Sequence, residues 1–469
     1  MRGSKTCRVF LLLLTCMWFA ACGVSPTSTP TPIVIKVPVE IPVEVTRVVT
    51  RQIVTAATPA PSMPCAAAAP GESAVVTIGA ILPLSSPGAL LAGFAMQTAL
   101  NIAVTDINEL GGIAGVPIRL VTYDSAGIPE RSAQFAERLI LLDCAIAIVG
   151  LYHNGDAMAA TDVAHRYGVP IIITEAGADD ITARGYPEVF RLAPSYSMLA
   201  QVPAQWLSEV GDYNNDGTLA AAIIAENRQG PSVLLDAMQQ SLTDAGIETD
   251  MLHVDLPSTD FSPVIARLVA HDTLPDAIFI ATKGEPALRL QSQLLEAGIG
   301  PQRSTLIVQN HVGLNSAQFW SEVPNGSGTV VLRLGAWSST LTERGQDFAI
   351  KYDQYMGRWP ESYAFASHDA IWLLAEALRA TPSWKGSDLI ATLEQSNAEL
   401  SNGQITFAVS AQSASNNDQP SYLWHQWADS QVLYLQYTEP NQPADAMSIL
   451  WPPRHRTPGL QTAVMPYTP

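Results

Sequence analysis

The stretch ALNIAVTDINELGGIAGVPIRLVTYDS, residues 99–125, contains most of a helix and the strand that follows it. Apolar residues recur at helical spacing over residues 90–110, and the pair Gly111-Gly112 then marks the end of the helix. The run PIRLVTYD, residues 117–124, has the length and composition of a strand. The stretch therefore predicts a helix that returns into a sheet after a short turn.

Alternating strands and helices are predicted along most of the remaining chain. The predicted strands cover residues 74–82, 117–124, 145–150, 169–174, 219–226, 249–256, 276–282, 305–309 and 329–334, with paired short strands near 404–408 and 420–437. The other predicted helices cover residues 129–142, 157–167, 201–210, 232–245, 262–271, 286–297, 368–380 and 387–396. This order predicts an α/β fold with two doubly wound parallel-sheet domains, covered by helices on both faces.

The N-terminus has the three parts of a signal peptide. Basic residues precede residues 9–21, an apolar run that is too short to span a membrane. The sequence FAAC, residues 19–22, resembles a bacterial lipobox, in which the cysteine is lipidated and becomes the first residue. We therefore predict a lipoprotein signal peptide over residues 1–22 with lipidation at Cys22. An ordinary secretory signal with an incidental cysteine is the alternative.

The segment that follows, residues 23–73, is predicted to be a spacer. Proline recurs every few residues among Val, Glu and Thr, which blocks both a helix and a central strand. We expect an extended, disordered segment that lifts the folded part away from a membrane.

Two cysteines remain beside Cys22 once the signal peptide is removed. Cys144 begins one predicted strand and Cys65 lies upstream of another, and neighbouring parallel strands would bring these two ends together. In an oxidising compartment we expect the two to form a disulfide; two free buried thiols are the alternative.

The composition agrees with an exported protein. The formal net charge is −18 with 14% charged residues, which argues against nucleic acid and anionic membrane surfaces as partners. The 47% hydrophobic content can supply a large core over 469 residues. No second apolar run of membrane-span length follows the signal peptide, so we expect the rest to be extracytoplasmic and soluble.

Three segments together resemble type I periplasmic solute-binding proteins, in the branch that includes leucine/isoleucine/valine-binding proteins. They are residues 79–125, which begin GAILPLSS and include the stretch quoted above, ITARGYPEVFRLAPS (181–195) and YAFASHDAIWLLAEAL (363–378). The resemblance covers about residues 74–440. It implies two α/β domains joined by a hinge, which close around a solute.

On this resemblance the chain is predicted to pass from a first domain into a second and to return late to the first. The predicted parts are the signal peptide (1–22), the spacer (23–73), a first α/β domain (74–197 with 335–400), a second α/β domain (198–334 with 401–445) and a C-terminal tail (446–469).

The candidate binding residues follow the predicted strands, because ligands of open parallel sheets bind beyond the carboxyl ends of the strands. Helix starts at these loops also offer free N–H groups to an anion. The candidates in the first domain are Ser85, Ser86, Tyr152, His153, Asn154, Glu175, Ala176 and Gly177. Those in the second domain are Arg228, Gln229, Lys283, Glu285 and Asn310. For each polar residue, a solvated loop position or a helix cap is the alternative.

Several positions depart from the amino-acid binders of the resembled family. Asn154 stands in place of a serine, and the loop EAGADD that begins at Glu175 lacks the usual threonine. His368 stands where the family usually has a tyrosine. No tyrosine lies near Gln229, and no acidic partner for an α-ammonium lies near Asn310.

These departures leave the class of ligand open. Glu175 or Glu285 could replace the missing acidic partner, and Arg228 or Lys283 could hold a carboxylate. Amino acids, amides, urea-like solutes and small or aromatic carboxylates are therefore all candidate ligands.

The sequence lacks the common motifs of enzymes and metal sites. It has no GxSxG, P-loop, CxxC or HExxH pattern. The run DYNNDG, residues 212–217, begins like a calcium loop, but the closing glutamate would fall at Ile223, inside a predicted strand. We predict no enzyme activity, no cofactor and no metal, with an extracytoplasmic hydrolase as the alternative.

The resemblance implies a lipid-anchored solute-binding protein that delivers a small polar solute to an ABC permease. Its partners would be the solute, the transmembrane permease subunits and, through the lipid, the membrane; we expect a monomer. It would lie on the outer face of the cell membrane, or in the periplasm where an outer membrane exists. A ligand-sensing receptor subunit that acts through a membrane signalling partner is the alternative.

Overall fold

The computed structural model describes residues 75–227, 232–270, 273–282, 284–310, 315–407, 409–410 and 419–466. All of these residues belong to one unit, Pro59–Pro469. The predicted signal peptide, the spacer, Cys22 and Cys65 lie outside the described residues.

The first sheet has five parallel strands in the order β2-β1-β3-β4-β5. The strands are β1 (Val76–Leu82), β2 (Ile118–Asp124), β3 (Ala147–Gly150), β4 (Ile171–Ile173) and β5 (Val189–Arg191). Because β1 pairs with both β2 and β3, the strand order reverses beside β1. Ligands of such sheets bind at this reversal, beyond the carboxyl ends of the strands.

Helices cover both faces of the first sheet. They are α1 (Leu90–Glu109), α2 (Pro129–Leu141), α3 (Asn154–Tyr167) and the short α4 (Asp180–Ala183), joined later in the chain by α10 (Glu343–Met356), α11 (Ser362–Ala380) and α12 (Gly386–Glu394). One core lies between the sheet and α1, α11 and α12, and a second core lies between the sheet and α2 and α3. We call this sheet and its helices the first lobe.

The second sheet has seven strands in the order β14-β13-β10-β9-β8-β6-β7. They are β6 (Ala220–Glu226), β7 (Glu248–Val254), β8 (Ala277–Ile280), β9 (Leu306–Asn310), β10 (Val330–Leu334), β13 (Val432–Gln436) and β14 (Ser448–Trp451). Strands β6 to β10 are parallel and repeat the order of the first sheet, whereas β13 and β14 extend it as antiparallel strands.

Helices also cover both faces of the second sheet. They are α5 (Tyr196–Val210), α6 (Val233–Asp244), α7 (Ser262–Val269), α8 (Glu285–Glu296) and α9 (Ser316–Glu322). One core contains residues of α5 and α6, another contains residues of α7 and α8, and a third contains residues of α9. We call this sheet and its helices the second lobe. The predicted fold, two doubly wound α/β domains, is confirmed.

The residues after 400 are shared between the two lobes in a way that differs from the predicted domain boundaries. The hairpin of β11 (Ala398–Leu400) and β12 (Gly403–Ile405), together with Phe407 and Trp427, packs in the core of the first lobe. Residues 446–469 were predicted to be a tail, yet β14 and Ala463 belong to the second lobe. Short strands that pair with distant partners carry little local pattern, which is why the prediction placed them differently.

Several helices differ from the prediction: α3 and α11 begin at Asn154 and Ser362, before the predicted starts at residues 157 and 368, and the short helices α4 and α9 were not predicted. Helix α5 begins at Tyr196, where Ser195 caps it by accepting a hydrogen bond from the Met198 backbone N–H at 3.2 Å. The predicted helix starts at residue 201, whereas the observed helix begins five residues earlier and holds Pro203, a residue that favours the first turn of a helix, in its interior. Helix α10 was not predicted; many charged residues break its apolar pattern, and its buried face includes Phe348 and Tyr352.

Within the described residues, α1 is long and apolar enough to cross a membrane by length and composition. Half of its most apolar window is buried, and its residues pack in the cores of the first lobe. These contacts identify α1 as a core helix of the first lobe.

Cys144 is disulfide-bonded in the structure. Its predicted partner, Cys65, lies outside the described residues. The pairing of these two cysteines therefore stays a prediction.

Candidate functional site

Three chain crossings connect the lobes and meet at one point, which we call the hinge: residues 192–195, 335–337 and 428–431. The crossings are bonded to one another or to their neighbours. The Gly335 N–H donates to the Gln431 carbonyl at 2.8 Å, and Gln426 Nε2 donates to the Ala193 carbonyl at 2.9 Å. These bonds hold the crossings side by side.

A small cavity of about 20 Å³ lies at the hinge. Thr174 and Glu175, which follow β4, line it together with Leu192, which follows β5, and Gly335, which follows β10. The cavity has room for little more than a water molecule. Its lining places the carboxyl ends of β4 and β5 of the first sheet beside that of β10 of the second; the region beyond these strand ends we call the cleft.

Two predicted residues lie in the loop after β1. Ser85 Oγ donates to Asp124 Oδ2 at 2.5 Å, and the Leu84 N–H donates to Asp124 Oδ1 at 2.7 Å. Burial opposes ionisation, but these bonds and one from the Ala126 N–H hold the pKa of Asp124 below its usual value. Ser85 therefore orients the loop. Ser86 is exposed and precedes a cis proline, Pro87.

Asn154, Ala176 and Gly177 hold two neighbouring loops together. Asn154 Nδ2 donates to Tyr196 Oη at 2.9 Å, and Asn154 Oδ1 accepts from the Ala178 N–H at 3.0 Å. The Ala176 N–H donates to the Leu151 carbonyl at 3.2 Å. A Cβ at Gly177 would lie 2.8 Å from the ring of Tyr196. These contacts fix the position of the loop that carries Glu175.

Tyr152, His153 and Glu175 lie close together on the first lobe and are half-buried. The rings of Tyr152 and His153 meet edge to face with centroids 5.0 Å apart. Burial, and next the Glu175 carboxylate, raise the pKa of Tyr152 to about 12. His153 Nε2 is buried and has no hydrogen-bond partner among the described residues. These side chains form a polar and aromatic group at the carboxyl ends of β3 and β4.

In the second lobe, polar atoms without a hydrogen-bond partner among the described residues lie at the ends of the paired strands β8 and β9. Within the described part of the chain, Thr282 Oγ1, after β8, and Asn310 Oδ1, at the end of β9, are buried without a hydrogen-bond partner. Buried polar atoms usually have partners, so such atoms at a cleft indicate where a ligand or ordered water binds.

Of the remaining predicted residues of the second lobe, one lies within the described part of the chain. Glu285 is an exposed residue in the first turn of α8. Arg228, Gln229 and Lys283 lie outside the described residues.

Sequence reasoning missed Tyr363 and Thr282. Tyr363 lies in the first turn of α11, next to Ser362, which lines the hinge cavity, and its ring lies 5.6 Å from that of Tyr152, centroid to centroid. No local signal identifies it, because α10 separates it from the crossing at residues 335–337 and the predicted helix started at residue 368. Thr282 could have been found as the polar residue that ends the buried run AIFIAT.

His368, where the resembled family usually has a tyrosine, is a core residue. It is 1% exposed, stacks on Phe348 with centroids 4.1 Å apart, and accepts from Trp372 Nε1 at 3.2 Å. Its other ring nitrogen lies 2.9 Å from Ser401 Oγ. These contacts occupy both ring nitrogens, so His368 affects packing and not the cleft directly.

Comparison with known families and proteins gives one consistent result. The profile of the family described as "Periplasmic binding protein" matches residues 75–424. Leu/Ile/Val-binding protein homolog 7 of Brucella abortus (strain 2308) is 25% identical over 384 residues, which cover 78% of this chain and 92% of that protein.

Solved structures share the fold at lower identity. The branched-chain amino acid transporter substrate-binding protein LivJ of Streptococcus pneumoniae, in complex with isoleucine, has a TM-score of 0.61 and 20% identity, covering 81% of this chain and all of that one. A solute-binding protein of an ABC transporter from Rhodopseudomonas palustris BisB5, in complex with 3,4-dihydroxybenzoic acid, has a TM-score of 0.59 and 21% identity, covering 78% of this chain and 93% of that one.

Proposed function

The chain belongs to the periplasmic binding protein family, and on that premise we propose that it captures a small polar solute between its lobes and delivers it to an ABC permease. The family is one of extracytoplasmic binding proteins and not a class of enzymes. The solute would be an amino acid, an amide or a carboxylate. Lipidation at Cys22 would hold the protein at the membrane, where the permease lies.

The observation that carries this proposal is the cleft. The carboxyl ends of two parallel sheets face it, and the crossings at the hinge allow the lobes to close around a solute. Tyr152 and Glu175 on one side, and Thr282 and Asn310 on the other, supply polar groups of the kind that orient a small ligand. Binding energy would favour the closed form, and a permease can recognise that form.

Thermal unfolding of the full chain in detergent tests the proposal directly. The panel is leucine, valine, acetamide, urea, 4-methylpentanoate, benzoate and choline, with chloride salts at matched ionic strength as the control. A ligand that binds only the folded protein, at about 100 times its Kd, should stabilise it by about 2.7 kcal/mol. We expect one class of compound to raise the unfolding midpoint. The absence of any specific shift at millimolar concentration would contradict the proposed function.

Lipidation can be tested separately in the expressing cell. Metabolic labelling with an alkynyl fatty acid should mark the wild-type chain and should fail to mark Cys22→Ser, since only the lipobox cysteine is acylated. Cys16→Ser, which changes a cysteine inside the apolar run of the signal, is the matched control and should keep the label. Label that persists in Cys22→Ser would show that the predicted anchor is wrong.

A further inference from the structure

The first helix of the second lobe, α5, is capped by residues of the first lobe. The first N–H groups of any α-helix have no partner within the helix. In α5, the Tyr196 N–H donates to the Gly177 carbonyl at 2.8 Å, and the Ser197 N–H donates to Asp179 Oδ1 at 3.2 Å. Ser197 Oγ also donates to Asp179 Oδ2 at 2.6 Å. Gly177 and Asp179 lie in the loop after β4, so these bonds join the two lobes.

The carboxylate of Asp179 suits the start of α5 electrostatically. The N-terminus of a helix carries a partial positive charge, and a carboxylate beside its first turn is stabilising. Asp179 is also the N-cap residue of α4, but its side chain makes no capping bond to that helix. The side chain therefore caps a helix of the other lobe and not the helix that follows it in the chain.

Arg191 holds the loop that carries Asp179. Arg191 ends β5 and is fully buried; its Nη1 donates to the Ala178 carbonyl at 2.6 Å and its Nη2 to Thr182 Oγ1 at 2.9 Å. Burial lowers the pKa of Arg191 to about 10, and the Asp179 carboxylate opposes this shift. The chain on both sides of Asp179 is thus fixed to the first sheet, next to the crossing at residues 192–195.

The rest of α5 belongs to the second lobe. From Ala200 onwards its buried residues pack in the core beside the second sheet. Trp206 is fully buried there, and its Nε1 donates to the Ala463 carbonyl at 2.9 Å. The direction of α5 therefore relates the orientation of the second lobe to the loop after β4. Tyr196 and Ser197 directly follow the crossing, so their bonds lie close to the axis of a hinge motion and can persist during it.

We infer that Asp179 is a positioning residue, which caps α5 from the first lobe and so fixes the point about which the lobes turn. The inference rests on the proposed function, because it assigns a residue to the closure of the same cleft. It also removes the start of α5 from the helix starts that could bind an anion. Its first two N–H groups are bonded to the first lobe, and the Met198 N–H is bonded to Ser195 Oγ.

Hydrogen–deuterium exchange of the full chain in detergent tests the cap without any solute. Asp179→Ala should speed exchange of the amides in the first turn of α5 by at least about tenfold, because it removes a hydrogen bond to a carboxylate. Asp179→Asn keeps an oxygen for the Ser197 N–H and an amide that can donate to Ser197 Oγ, so it should retain slow exchange. Asp180→Ala is the matched control, since it removes the same charge from the exposed neighbouring residue.

The distance between the lobes tests the positioning role. Spin labels at Asn101→Cys in α1 and Gln240→Cys in α6, two exposed positions, report this distance by pulsed electron paramagnetic resonance. Asp179→Ala should broaden the distance distribution about twofold, whereas Asp180→Ala and Asp179→Asn should keep the original width. A residue that supported only its own loop would change the unfolding midpoint and leave this width unchanged.

The outcomes separate this inference from the proposed function. Exchange and width in Asp179→Ala equal to those in Asp180→Ala would overturn the inference and leave a solute-binding protein. Absence of binding by every panel compound would overturn the proposed function, whereas the cap is measured without a solute. Where a compound binds, Asp179→Ala should weaken it about tenfold, and unchanged affinity would show that capture does not depend on the cap. Unfolding midpoints confirm that each variant is folded.

Discussion

Replacing Gly112 with alanine should lower the free energy of unfolding by about 3–5 kcal/mol, although no side-chain contact is lost. Gly112 has a φ of +73°, and an added Cβ would lie 2.3 Å from the Val116 carbonyl oxygen. Strain at positive φ costs about 1–3 kcal/mol, and relieving a contact with backbone adds a similar amount.

The surrounding turn explains why the chain cannot simply move away. Helix α1 ends in two hydrogen bonds, from the Gly112 N–H to the Ile107 carbonyl at 2.8 Å and from the Gly111 N–H to the Asn108 carbonyl at 3.0 Å. This is the Schellman pattern. The Asn108 side chain then bonds both the N–H and the carbonyl of Ile118, at 2.7 and 2.9 Å. Arg379 Nη2 also donates to the Gly112 carbonyl at 3.0 Å.

Gly111→Ala is the matched control for this prediction. Gly111 also has a positive φ, +95°, but an added Cβ would meet nothing within 4 Å. Its replacement should cost only the backbone strain, about 1–3 kcal/mol. Urea unfolding followed by circular dichroism measures both variants. If the two variants lose the same free energy of unfolding, the contact between the added Cβ and the Val116 carbonyl costs nothing, and the prediction for Gly112 is wrong.

The alternation of strands and helices could be predicted because it depends on local patterns. The helix that ends at Gly111-Gly112 and the strand that follows were predicted within one residue of α1 and β2. Periodicity and end signals lie within a few positions of each other, so one sequence is enough to find them. Helix starts were located less well: α5 begins at Tyr196, five residues before the predicted start, and continues through Pro203.

The roles of side chains after the strands could be predicted only in part. The sequence identifies the loops, but it does not show which polar atoms already have partners within the protein. Ser85 bonds Asp124, 39 residues away, and Asn154 bonds Tyr196, 42 residues away, so both support loops. Tyr363 joins Tyr152 from more than two hundred residues along the chain. Such long-range pairings are set by the packing of the lobes and leave no local pattern.

Replacing Asp369 with alanine should lower the free energy of unfolding by about 3–5 kcal/mol, because it leaves several buried donors without an acceptor. Asp369 is fully buried in α11. Its carboxylate accepts from the Ser401 N–H at 2.9 Å, from the Asn402 N–H at 3.3 Å and from Asn402 Nδ2 at 3.1 Å. Each unsatisfied buried donor costs about 1–3 kcal/mol.

Replacement of Asp369 should also affect the hinge, in addition to lowering the stability. Asn402 Oδ1 accepts from the Ala336 N–H at 2.9 Å, and the Asn402 carbonyl accepts from Gln431 Nε2 at 2.7 Å. Asp369 therefore positions a residue that holds two of the three crossings between the lobes. We expect Asp369→Ala to weaken the binding of any solute that closes the lobes, even though Asp369 is not assigned to the ligand.

Glu376→Ala, in the same helix, is the control for Asp369→Ala. Glu376 pairs with Arg344 at 3.1 Å, and both side chains are about one-third exposed, so its loss should cost no more than about 1 kcal/mol. Urea unfolding measures stability, and titration with whichever panel compound binds measures affinity. If Asp369→Ala is no more destabilising than Glu376→Ala, water can replace the carboxylate, and the turn at Ser401 and Asn402 does not depend on it. If stability falls while affinity is unchanged in the folded fraction, Asp369 supports the first lobe alone, and the crossings hold their positions without it.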